Sequence, residues 1–144
     1  MRFFAAFVFV AATVTVPLVS HAEPTPTTAV RDYFQALGRQ DFSRAIALTD
    51  GAAQTRTSRM VETLKSEAAA HHARVEVSVT HLDVRSPGAP EARGVPVPVL
   101  FHIDVVGKKW CFSKVARTLD GEARFYIDPS RPDRIVAIEG RIAE

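Results

Sequence analysis

At Ala73 the hydrophobic period of this chain changes from that of helices to that of strands, and it changes once. Upstream, Val30, Tyr33, Phe34 and Leu37 fall at i, i+3, i+4 and i+7, one apolar face of a helix. Downstream, Val75, Val77 and Val79 alternate with Glu76, Ser78 and Thr80, and Val97, Val99, Phe101, Ile103 and Val105 alternate strictly. Helices gathered at one end and strands at the other predict an α+β fold with an antiparallel sheet. A curved sheet of that kind has one apolar face to cover, and the N-terminal helices are the cover. Packing, rather than propensity, then holds helices too short to be stable alone.

The punctuation refines this. Thr25 with Pro26, or Thr28, opens the first helix. Gly38 stands where a left-handed C-terminal residue is wanted, and Asp41 caps a second helix with Phe42, Ala45, Ile46 and Leu48 inward. Gly51 is expected to end that helix. Gln54 to Ser58 then reads as a polar lead into a third, with Met60, Val61, Leu64 and Ala68 on one side. Apolar parity shifts at Leu82 and Val84, which predicts a bulge near Thr80-His81. Ser86 to Gly94 reads as a surface loop, with turns at Val106-Gly107-Lys108, at Leu119 to Glu122 and at Asp128 to Asp133. About five strands result.

Residues 1–22 read as a leader rather than as part of the domain. Arg2 gives a positive start, Phe3 to Val16 an apolar run, and Ser20-His21-Ala22 small residues at a cleavage site. The run is shorter than the roughly 20 residues that cross a bilayer. A cut after Ala22 leaves residues 23–144 as one exported domain, periplasmic or secreted, with no membrane attachment. Of 18 Lys and Arg against 16 Asp and Glu, the leader holds only Arg2, and no element concentrates the positive charge, so nucleic acid is not an expected partner. Cys111 is the one cysteine, so no internal disulfide forms. A buried inert thiol is the expectation for it, and a bond between chains the alternative.

From Thr28 to Leu48, and again from the strand before Gly107-Lys108-Lys109 through Arg134-Ile135-Val136-Ala137-Ile138, the chain resembles the nuclear transport factor 2-like superfamily. This is the cystatin-like cone shared with ketosteroid isomerases and polyketide cyclases. The resemblance implies N-terminal helices packed on a curved antiparallel sheet. It also implies an oxyanion-holding tyrosine on the first helix, which Tyr33 matches, eight residues before Asp41. The second acidic donor would fall near Ala123, which has no proton to give, and the segment that carries the base, here Ala52 to Ser58, holds no carboxylate. The outer sheet face often makes dimers in this superfamily, so His102 and Asp104, opposite in parity to Phe101 and Ile103, are interface candidates.

The remaining chemistry is sparse. His71 and His72 project about 100° apart on a helix end, and His102 with Asp104 lacks a third ligand at a recognisable spacing, so no metal and no other cofactor is expected. His81 points into the cone if the bulge follows it and outward if the bulge precedes it. With Asp83 it is the candidate acid–base pair. Tyr33, Phe101 and Trp110 are candidate pocket lining. The expected work is binding, of a small apolar molecule in the cone or of a protein partner, including a second copy through the sheet. The rival is an isomerase, cyclase or dehydratase using Tyr33 with His81 or Asp83.

Overall fold

A computed structural model describes residues 23–109 and 112–140. Residues 1–22, on which the expected leader and its cut after Ala22 fall, lie outside the described residues, as do Trp110, Cys111 and the last four residues. Three helices, α1 (Pro26–Gly38), α2 (Phe42–Ala47) and α3 (Gly51–Ala70), precede four strands, β1 (Arg74–Val84), β2 (Val95–Lys109), β3 (Phe112–Asp128) and β4 (Arg131–Gly140). The strands form one antiparallel sheet in the order β1-β2-β3-β4. Register shifts between Val79 and His81, Val105 and Val106, and Tyr126 and Asp128 interrupt the ladders. Such bulges bend and twist a strand, and the sheet curls into a half-barrel cone around α1.

The third and fourth strands expected from the sequence are a single strand. Leu119, Asp120, Gly121 and Glu122 pair with Ile103, His102, Phe101 and Leu100 without a break. The Asp-Gly pair reads as a turn, yet inner-face parity runs on through Leu119, Gly121, Ala123, Phe125 and Ile127. Burial of that series outweighs the local turn preference. The bulge in β1 falls between Val79 and His81, as parity predicts.

The helix breaks differ from expectation in an informative way. Thr25 caps α1, accepting from the Thr28 amide at 3.2 Å, and Asp41 caps α2 through the Arg44 amide at 3.0 Å. Gly38, however, ends α1 in ordinary helical conformation, and the left-handed residue is Gln40, with φ of 61°. Its carboxamide explains the exchange. Gln40 Nε2 donates to the Val77 carbonyl at 2.7 Å, and Gln40 Oε1 accepts from the Val77 amide at 2.8 Å. One side chain thus stands in for a neighbouring strand along the free edge of β1. At about 1 kcal/mol each, the two bonds offset the roughly 1–2 kcal/mol that left-handed backbone costs a residue with a Cβ.

Gly51 starts α3 rather than ending α2. Just before it, the chain runs beside β4, where the Asp50 amide donates to Ile135 O at 2.8 Å and the Ile135 amide to Leu48 O at 3.0 Å. A φ of 54° at Gly51 then turns the backbone into the helix, which glycine does without strain. Gln54 to Ser58 therefore belongs to α3, and its inner face is Ala53, Thr57, Val61 and Leu64. The interior is a closed cluster. Tyr33 and Phe34 from α1 meet Phe101 and Phe125 from the sheet at ring separations of 5.5–6.0 Å, walled by Val97, Val99, Ile103, Ile127 and Ile135.

Candidate functional site

The sequence candidates separate in space. Tyr33 is buried, its ring edge-on to Phe34 and Phe125, and its hydroxyl shares a 3.1 Å hydrogen bond with Thr57 Oγ1. Thr57 is buried on α3, so each polar group satisfies the other inside the core. Burial pushes the Tyr33 phenol up to about 12, against smaller opposing effects of the Thr57 hydrogen bond and the Arg56 charge. Phe101 lies in the same cluster. His81 and Asp83 lie outside the cone. His81 is exposed opposite His102, and Asp83 sits 3.7 Å from Arg85. Neither approaches Tyr33, since Leu82 between them turns inward to Phe101.

A raised pKa has a directional consequence. Protonated Tyr33 fits the core, and its anion does not. The unfolded phenol ionises near 10 and the folded one near 12. The stabilisation is therefore complete below about pH 10 and is lost as pH climbs towards 12. Tyr33→Phe should remove this alkaline component of unfolding without changing the slope near neutrality. Denaturant melts at a series of pH values test it, and equal alkaline loss in both proteins would contradict a buried neutral phenol.

His102 and Asp104 stand together on the outer face. His102 Nε2 is 3.6 Å from Asp104 Oδ1 and Nδ1 is 3.7 Å from Asp120 Oδ1, while Thr118 Oγ1 donates to Asp104 at 2.7 Å. The histidine distances are electrostatic contacts, too long for good hydrogen bonds. His71 and His72 are exposed beyond the end of α3. Among the described residues, no three His, Cys, Asp or Glu side chains converge in a manner that would hold a metal ion.

Two concave spaces bounded by described residues lie at the rim of the cone. A cleft of about 580 Å³ runs between α3 and β3, lined by Ala52, Thr55, Arg56, Arg59, Met60 and Thr63 with Arg117 across from them. Beneath Met60 and Arg117 is an apolar hole of about 10 Å³ bounded by Leu37, Leu64, Val77, Ile103, Val105 and Leu119. That is about the least volume that admits a water molecule, so this part of the interior is effectively filled. A second groove, about 740 Å³, separates α1 from β1. In its wall Gln40 engages Val77 and Glu76 engages Lys108 at 2.5 Å, and that lysine holds the Glu76 carboxyl below its usual range.

Sequence reasoning missed the cleft. Arg56 lay in the stretch Gln54 to Ser58 read as a polar lead into the third helix, with Arg59 just after it, although the series Ala53, Thr57, Val61, Leu64 would have extended the helix through both. Arg117 faces inward because it continues the alternation of Leu119, Gly121, Ala123 and Phe125 and pairs with the inward Val105. Arg56 also ties α3 to the end of β4, donating to Ile138 O at 2.8 Å and to Gly140 O.

Helices on the inner face of a curled antiparallel sheet define an α+β cone. The chain is similar to a candidate polyketide cyclase from Xanthomonas campestris pv. campestris, at 12% identity, over 77% of this chain and 87% of that one, with a TM-score of 0.50. A second candidate polyketide cyclase, from Pseudomonas putida, matches at 16% identity over 82% and 92%, with a TM-score of 0.48. No protein-family model and no curated protein sequence matches the chain. It has the nuclear transport factor 2-like cone fold, in a form with clefts able to receive a ligand. Among the described residues, no helix is long and apolar enough to cross a membrane.

Proposed function

We propose that this is an exported binding protein whose ligand seats in the rim cleft between α3 and β3, and that it is not a proton-transfer enzyme. The observation that carries the reading is the state of Tyr33: buried, bonded to Thr57, and remote from His81 and Asp83. A general acid–base pair must reach one substrate atom together, and an oxyanion donor must point at the place where charge develops. Tyr33 is turned to neither task. Among the described residues the interior hole beneath Met60 is too small for an apolar ligand, whereas the cleft offers both polar and apolar wall. Export rests on the leader pattern, with the mature domain beginning at Glu23.

For a protein partner, including a second copy, the surface we favour is the outer sheet face around His102 and Asp104. The helices leave it uncovered, and its polar groups form a half-exposed network. Native mass spectrometry of protein purified from its own host tests the whole reading. The expected result is a chain starting at Glu23 that carries a small molecule released on denaturation. A bare chain starting at Met1 would contradict both export and ligand binding.

A further inference from the structure

We infer that the rim cleft binds a small organic oxyanion, a carboxylate or phosphate monoester on a short apolar body. This rests on the binding reading above and names the ligand class for that site. Three guanidinium groups, Arg56, Arg59 and Arg117, line one cleft. Glu67 stands 3.7 Å from Arg117. Neither Arg56 nor Arg59 has a carboxylate within ion-pair distance among the described residues. Like charges three residues apart on one helix repel, so the pair works against the stability of α3.

Arg56 has a structural reason to be there, since it fastens β4. Arg59 has none: its side chain is exposed and makes no hydrogen bond or ion pair among the described residues. Its five donors, in a fork that matches a carboxylate or phosphate, are open to the cleft. The two threonines supply shape rather than donors. Thr55 Oγ1 donates back to Gly51 O at 3.2 Å and Thr63 Oγ1 to Arg59 O at 3.0 Å. Met60 and Ala52 give apolar wall, and Met60 also roofs the small apolar hole. A flexible thioether side chain there suits contact with a short hydrocarbon.

Four probes of one size separate the possibilities by calorimetry at low salt: hexanoate, hexyl phosphate, hexanamide and hexylamine. Hexanoate or hexyl phosphate is expected to bind at least about tenfold more tightly than hexanamide, as a charge-assisted hydrogen bond allows, with hexylamine weakest. Whichever anion wins identifies the source of the headgroup. Arg59→Gln should weaken that binding about tenfold or more, Arg59→Lys should restore part of it, and added salt should weaken it. Because the Arg59 side chain is exposed and unpaired, these variants should melt with the wild type. Amide shifts in an NMR titration should centre on residues 55–63. Equal affinity for hexanamide and hexanoate would overturn the oxyanion inference while leaving a ligand site at the cleft. Anion binding that shifts other elements and ignores Arg59→Gln would overturn the cleft as the site. No binding by any probe at millimolar concentration would overturn the oxyanion inference, with the binding reading still judged by mass spectrometry.

Discussion

Phe125→Ala is expected to destabilise the protein by about 3–5 kcal/mol, the range for removing a large aromatic from a packed core. Phe125 is fully buried, 5.6 Å from the Tyr33 ring and 5.5 Å from that of Phe34. Its neighbours sit on α1 and on a curved sheet whose register is pinned by bulges, so they cannot collapse far into the space it leaves. The same variant should gain a property. An apolar cavity of that kind stays dry and takes up a small aromatic or xenon, so benzene should raise the melting temperature of Phe125→Ala and not that of the wild type. A loss below about 1 kcal/mol, or benzene stabilising both proteins equally, would show a loosely filled cone.

The second large effect belongs to a glycine. Gly94 stands at the entry to β2 with φ of 124°, a conformation open essentially to glycine alone. A Cβ placed there would run into the backbone carbonyl oxygen of Ile127, with the carbonyl carbon at 3.1 Å. Nothing flexible can yield, because Ile127 is main chain paired to Val95 and set between two register shifts. Backbone strain of about 1–3 kcal/mol and overpacking of about 1–3 kcal/mol add, so Gly94→Ala should cost about 2–6 kcal/mol in urea unfolding. Gly38→Ala is the internal contrast. The added methyl would lie 3.7 Å from Val79 Cγ2, an ordinary contact, in helical backbone. Equal effects at the two glycines would mean that β2 does not enter the sheet against Ile127.

The parts of this fold that periodicity controls were legible in the sequence. The α1 stripe of Val30, Tyr33, Phe34 and Leu37, the caps at Thr25 and Asp41, and the β1 bulge each follow from spacing and local chemistry. Elements that depend on a distant partner were not. Gln40 takes the left-handed conformation because Val77, far along the chain, rewards its carboxamide. Asp120-Gly121 stays in a strand because Phe101 and His102 pair with it. Thr57 looked like a polar linker residue until Tyr33 supplied its hydrogen bond. The arginine cleft was hidden for a related reason: charges on a helix read as a solvated face, and Arg117 forms a cleft wall only once α3 is placed across from it. The side of His81 hung on one residue of the bulge, and the pairing with His102 places it outside.

The account turns on Tyr33 being part of a closed core rather than the donor of an active site. A turnover assay with unsaturated ketosteroids and smaller β,γ-unsaturated ketones, comparing wild type with Tyr33→Phe, tests this most directly. Absence of a positioned base removes about 10²–10⁴-fold of rate, and an oxyanion donor turned elsewhere removes about 10²–10³-fold more. Both proteins are therefore expected to match the buffer rate. Wild-type turnover well above that rate, abolished by Tyr33→Phe, would contradict the account.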